Sequence, residues 1–142
     1  MDPLINTSDY TILELTLCFT GCSLWAVIYA IYIRNHLRYG FIEMPVIAAA
    51  SNFAWEFLWG FRFATDMGRL LQWSYQLWFL LDIYIFAMVL RDGLQQVDKP
   101  VFRRYFRPLL IGVMLAFGVG YYFFVDAGFD TTTGLTSGHL AN

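Results

Sequence analysis

Glu56 and Asp82 are the two residues of this 142-residue chain whose surroundings could make a side chain into a reagent. Each lies deep within a run of apolar residues. In lipid an ionisable group is costly, so its presence asks for a partner or a task. Counted back from the ends of their runs near Ala64 and Leu70, Glu56 sits about 12 Å deep and Asp82 about 18 Å, at 1.5 Å of helical rise per residue. Two antiparallel helices joined by a short loop would bring these carboxyls to within about one helical turn of depth. Loss of water and a second carboxyl nearby both disfavour the charged form, so at least one of the pair is expected to hold a proton at neutral pH. A neutral carboxylic acid in a dry, aromatic-lined cavity can protonate a weakly basic oxygen or an alkene, and ring faces can stabilise the cation that forms. Excluding water protects that cation from premature capture.

The neighbours of the two acids support this chemistry. Asn52 precedes Glu56 by one helical turn and shares its face, where its amide is expected to donate to the carboxyl. Tyr75, Trp78 and Asp82 fall on one stripe of the next apolar run, and Trp55 and Trp59 flank Glu56. A structural alternative stands beside the catalytic one: Asn52, Glu56 and Asp82 as a buried hydrogen-bonded clamp between helices. Trp25, Trp59 and Trp73 also suit the membrane–water interface, where tryptophan gathers. Glu14, near the start of its run, reaches headgroup water and reads as structural.

Other chemistries find little footing. Cys18 and Cys22 share one helical face and read as packing residues, and His36 is isolated, with no metal-ligand spacing around it. The chain has neither a Gly-rich phosphate loop nor a Ser-His-Asp arrangement. Its only lysine, Lys99, lies between apolar runs, which argues against a retinal Schiff base. Nothing in these spacings supports a metal site.

The elements that must position the acids follow from composition. The chain is 58% hydrophobic, 20% aromatic and only 14% charged, against about 25% charged for a soluble domain. Its mean hydropathy of +0.52 agrees. An ordinary soluble globule, a disordered chain and a disulfide-stapled domain are excluded, and the lipid bilayer is the expected partner. A net charge of −2 offers no basic surface for nucleic acid. With about 20 apolar residues needed to cross the hydrocarbon core, the spans read 12–33, 44–64, 70–90 and 108–125. The sequence thus predicts a single-domain, all-α membrane protein, an antiparallel up-down bundle of four transmembrane helices. Seven of the nine basic residues (Arg34, Arg38, Arg91, Lys99, Arg103, Arg104 and Arg107) fall on one side. By the positive-inside rule both termini face the non-cytoplasmic side. The membrane is a bacterial inner membrane or the endoplasmic reticulum. Gly112, Ala116 and Gly120 give the fourth span a smooth face for close packing. Residues 126–142 read as a polar tail or the start of a further helix.

In the second span, Ser51-Asn52-Phe53-Ala54-Trp55-Glu56-Phe57 resembles the Asn-x-x-Trp-Glu signature of the integral-membrane terpene cyclases. These enzymes are best known from fungal indole-diterpene and meroterpenoid pathways, with bacterial relatives. The third span is similar to that family's Trp-x-x-x-Asp helix in Trp78 to Asp82, followed by Leu90-Arg91-Asp92-Gly93. The tail Gly134 to Asn142, with Ser137 and Asn142, resembles the segment that opens the family's next helix. The resemblance implies a membrane enzyme that cyclises a plain or epoxidised prenyl chain by protonation, without a cofactor. Glu56 is then the proton donor or its direct partner, Asn52 orients it, and Asp82 is a second acid or helper. Trp55, Trp59, Tyr75 and Trp78 become candidate cavity walls. Family members are generally longer, with about seven helices by the span-length rule, and carry a further acid in a late helix. This chain is then an N-terminal portion, or a four-helix form that completes its pocket as a homo-oligomer. The alternatives are a proton or small-solute carrier that relays protons through Glu56 and Asp82, and a non-catalytic packing subunit.

Overall fold

Each helix boundary has a local cause. A computed structural model describes residues 3–130 and 135–141; residues 131–134 and 142 of the polar tail lie outside the described residues. Helix α1 spans Ile12–Tyr39 and α2 spans Val46–Phe57, continued by a π-helical turn, Leu58–Arg62. Helix α3 spans Arg69–Asp92, with a 3-10 turn at Gly93–Gln96, followed by α4, Pro100–Asp126, and a short α5, Leu135–Ala141. Among the described residues there is no strand.

A capping box starts α1: the Glu14 amide donates to Thr11 Oγ1, while the Thr11 amide donates to the Glu14 carboxylate. Helix α1 runs past Ile33 to Tyr39, because charged residues do not stop a helix and Gly40 does. That glycine takes φ of 69° and returns its N–H to His36 O at 2.8 Å. Arg38 and His36 then lie in the last turn, where the helix dipole favours positive charge. Helix α4 likewise begins well before residue 108. Pro100 opens it at the first helical position, so Arg103, Arg104 and Arg107 lie in helical turns rather than in a loop, and Pro108 is carried inside the helix.

Ring contacts give the helix directions. Phe53 meets Phe86, Phe57 meets Phe79, and Gln72 reaches back to Trp59 and Gly60, so α2 and α3 run antiparallel. Helix α1 runs with α3, since Tyr29 stands by Asp82 and His36 by Asp92. Helix α4 runs with α2: Leu110 joins Ala49 and Ala50 in one cluster, and Tyr121 joins Trp55 and Leu58 in another. His36 is therefore not isolated. It is buried, with Nε2 3.1 Å from Asp92 Oδ2, because the two parallel helices bring their ends together.

Helices α1 and α4 are long and apolar enough to cross a membrane. Much of their apolar surface points outward, through Leu13, Leu17, Leu24 and Val27 on α1 and Leu109, Leu115, Val119 and Phe123 on α4. Water would penalise such a surface; acyl chains do not. Helix α4 approaches α2 through Gly118, over Ala54, rather than through the small-residue stripe. Ala116 is exposed, and a side chain added at Gly112 or Gly120 would meet nothing within 4 Å in this chain. The stripe faces outward because Leu110, Met114, Phe117 and Tyr121 define the inner face of the helix.

Ahead of α1, the N-terminal segment straps the α2–α3 loop. Leu70 N donates to Leu4 O, and Asn6 N donates to Met67 O, both at 3.0 Å. The Asn6 amide group reaches Asp9 Oδ2 and Asp66 O. Gly68 permits this close approach: its φ is 114°, and a Cβ there would stand 2.6 Å from Leu4 O. Gly68→Ala is expected to cost about 1–3 kcal/mol from backbone strain and collision, read as a lower unfolding temperature in detergent. Wild-type stability in that variant would show that the strap is not seated.

Candidate functional site

The buried polar residues of α2 and α3 gather where the two apolar clusters meet. Asn52 and Glu56 come from successive turns of α2, and Asp82 comes from α3 between Trp78 and Ile85. Glu56 is 2% exposed and Asp82 1%, so both carboxyls face the bundle and not the acyl chains. The residue that joins them is not marked by helical spacing. Tyr29 of α1, wholly buried, donates its hydroxyl proton to Glu56 Oε1 at 2.9 Å. Asn52 Nδ2 donates to that same Tyr29 oxygen at 3.3 Å. Asn52 therefore supports Glu56 through the phenol rather than touching the carboxyl as the spacing suggested, because α1 inserts a ring between them. The available signal was a tyrosine in mid-span, far from either interface, with a hydroxyl that needs a partner.

Asp82 lies within electrostatic range of both Glu56 and Tyr29. Among the described residues, its two carboxyl oxygens, Glu56 Oε2 and Asn52 Oδ1 are buried without a hydrogen-bond partner. A pair of ionised carboxylates at this density would be strongly unfavourable; a shared or retained proton relieves it. The arrangement can store a proton in a dry site and present it.

The aromatic candidates also converge. Trp55, Trp59, Tyr75 and Trp78 are all buried. The Tyr75 ring centroid lies 5.3 Å from Trp55 and 5.7 Å from Trp78. Trp59 is 2% exposed, which removes it from the interface; Trp73, 53% exposed, fits that role. A second feature missed by sequence fixes the tryptophans. Trp55 Nε1 and Trp59 Nε1 both donate to Ser137 Oγ of α5, at 2.7 and 3.1 Å. The Ser137 amide in turn donates to Asp130 Oδ2 at 2.9 Å. Gly138 lets α5 settle on Trp55, since a Cβ there would stand 3.1 Å from the ring.

The π-helical turn is the third. Widening the turn changes which carbonyls the helix can satisfy. The Gln72 side chain donates to Trp59 O at 2.7 Å and to Gly60 O at 3.0 Å, and Gln76 donates to Gly60 O at 3.1 Å. Two glutamines on α3 thus fix the stretch of α2 that carries Trp59. Ser51 and the Tyr121 hydroxyl form a buried hydrogen bond that pins α4 beside the site. Among the described residues, no three His, Cys, Asp or Glu side chains gather as a metal would require.

A family model described as Pyr4-like transmembrane terpene cyclases matches residues 5–140. The chain is similar to the Pyr4-family terpene cyclase mfmH of Annulohypoxylon moriforme, with 32% identity over 82 residues. That match covers 58% of this chain and 32% of the relative. It is also similar to the terpene cyclase ascF of Acremonium egyptiacum, at 28% identity over 102 residues, which is 71% of this chain and 36% of the relative. The chain spans about a third of the length of these curated relatives. No solved structure matches significantly.

Tyr29→Phe removes the hydroxyl that donates to Glu56 Oε1 and is expected to destabilise the protein by about 1–3 kcal/mol. Combined with Asn52→Leu, the loss should fall short of the sum of the single losses by more than about 0.5 kcal/mol, since the two residues share one network. Thermal unfolding in detergent measures both. Strict additivity would show that no such network exists.

Proposed function

The chain belongs to the Pyr4-like transmembrane terpene cyclases, and on that premise we propose that it carries the protonating site of a membrane-bound cyclase acting on a polyprenyl or prenylated substrate. The observation that carries this reading is the buried acid pair, with Glu56 held by Tyr29 and Asn52, and with carboxyl oxygens that no donor among the described residues reaches.

Glu56 is the proton donor in this reading. Tyr29 holds its Oε1, so the carboxyl keeps one orientation while Oε2 faces the substrate. The proton moves to a terminal alkene, or to an epoxide oxygen whose C–O bond then opens, and leaves a tertiary cation. Successive alkenes of the chain add to that cation and close rings. Loss of a proton ends the sequence, with the carboxylate of Glu56 or Asp82 as acceptor. Trp55, Trp59, Tyr75 and Trp78 offer ring faces to the travelling charge, and the apolar bundle keeps water from quenching it. Proton transfer and cation cyclisation need no cofactor. Asp82 holds the second titratable position, so that the pair shares one proton between cycles.

We read all four long helices as membrane spans, α2 with its π-turn and α3 crossing beside α1 and α4. Their alternating directions support this, as does the basic end formed by Arg34, Arg38, Arg91, Arg103, Arg104 and Arg107. Both termini then lie on the non-cytoplasmic side of a bacterial inner membrane or the endoplasmic reticulum. The outward apolar faces of α1 and α4 meet lipid or a second copy of the chain.

Glu56→Gln keeps the shape and removes the acid. It is expected to lower cyclisation of a prenyl epoxide by about 10²–10⁴-fold with the helical signal and elution volume unchanged; full turnover would remove Glu56 from the mechanism. In sealed vesicles of cytoplasmic-side-in orientation, a thiol placed at Ser8 should react with an impermeant maleimide and one placed at Asp98 should not. The reverse pattern would invert the topology.

A further inference from the structure

Away from the acid pair, the seam between α1 and α3 opens outward as a groove of about 480 Å³, lined by Ala30, Ile33, Arg34, Leu37, Arg38 and Leu81. Four of these six side chains are aliphatic. The other two are arginines one helical turn apart on α1, so both guanidiniums stand at the same rim. Both are exposed. They lie in the last turns of a helix long and apolar enough to cross a membrane, the depth at which hydrocarbon gives way to headgroups.

Charge is unbalanced there. The nearby carboxylates are already engaged: Glu43 accepts from Asn35 at 2.9 Å, and Asp92 is held by Arg91 and His36. Arg38 lies over the Tyr39 ring at 5.5 Å, and neither Arg34 nor Arg38 forms an ion pair among the described residues. Two forked cations above an apolar trough complement a molecule with an anionic, oxygen-rich head and a hydrocarbon tail. Guanidinium suits phosphate because its paired N–H donors match two oxygens of the anion.

We propose that this groove binds an anionic phospholipid, its phosphate bridging Arg34 and Arg38 and one acyl chain lying along Ile33, Leu37 and Leu81. The site ties α1 to α3 on the lipid side, beside the residues that carry the acid network, since Ala30 and Leu81 adjoin Tyr29 and Asp82 in sequence. Positive-inside charge alone makes a different prediction, because it gives Arg103 and Arg104 the same value as Arg34 and Arg38. The proposal does not depend on the cyclase reading.

The test is lipid retention by the purified full chain, transferred from micelles of phosphatidylcholine and phosphatidylglycerol and counted by native mass spectrometry. The wild type should hold phosphatidylglycerol in preference to phosphatidylcholine. Arg34→Gln/Arg38→Gln should lower that retention about tenfold, whereas Arg103→Gln/Arg104→Gln should leave it within about threefold. Ala30→Trp fills the groove without changing charge and should also release the lipid. Glycerol phosphate and inorganic phosphate, which lack tails, should not displace it. Equal loss in the two arginine pairs, retention in Ala30→Trp, or displacement by either tail-free anion would overturn the proposal. Should the double glutamine variant fail to fold, the Ala30→Trp result decides.

Discussion

A carboxyl group buried in an apolar bundle persists only where the protein supplies what water would have supplied. Glu56 meets that requirement through the Tyr29 hydroxyl, and much of the surrounding structure makes that contact possible. Tyr29 must arrive from α1, so α1 has to lie against the α2–α3 pair despite offering few buried residues of its own: Leu15, Tyr29 and His36. Two of those three carry polar groups directed at a partner on another helix, Tyr29 at Glu56 and His36 at Asp92. In lipid, apolar faces gain little by meeting each other, and buried polar contacts and close packing take over the task of joining helices. Helix α1 is held in this way, by polar groups on an otherwise apolar rod.

The same logic accounts for the rest of the site. The π-helical turn leaves backbone carbonyls in need of donors, and Gln72 and Gln76 supply them from α3. The indole N–H groups of Trp55 and Trp59 need an acceptor, and Ser137 receives both. Ser51 and Tyr121 satisfy one another across α2 and α4. Each pair spends polar groups on fixing one element against another. Among the described residues, the buried side-chain atoms left without a partner are His36 Nδ1 and, concentrated in one place, oxygens of Glu56, Asp82 and Asn52. The orphaned oxygens coincide with the residues that the Asn-x-x-Trp-Glu and Trp-x-x-x-Asp patterns single out, in a chain whose family consists of terpene cyclases.

Polarity is distributed along the bundle as well as across it. The end near Gly68 is closed by the N-terminal strap and by α5, through backbone pairing and the Ser137 contacts. The opposite end carries most of the basic residues, with Arg107 donating to Leu90 O and Arg91 paired with Asp92. Arg34 and Arg38 are the members of that set which border an apolar groove. One end is thus stitched shut by the chain itself, while the other gathers most of the basic side chains.

Much of this was legible in the residues. Apolar runs broken by charge gave the helical class and the approximate position of the four long helices, because hydrophobic length is a one-dimensional property. The buried acids, Asn52 and the four aromatics were identifiable from residue type and helical spacing, and the structure brings them into one region. Helix ends were less legible: Gly40 and Pro100 set them by backbone geometry, while the charged residues Arg34 and Arg103 simply continue as helix. Tyr29 was not found, and Ser137 stood out only within the tail segment and not as a partner of the tryptophans, since the importance of both comes from partners distant in the chain, Glu56 and the two tryptophans. The small-residue stripe of α4 was visible, but its direction was not: rotation about the helix axis depends on which neighbour fills the inner face. Sequence determines which segments are helical and which side chains lipid will not tolerate alone. Only the tertiary structure decides which group answers each of them, because a hydrogen bond depends on distance and angle in space and not on separation along the chain.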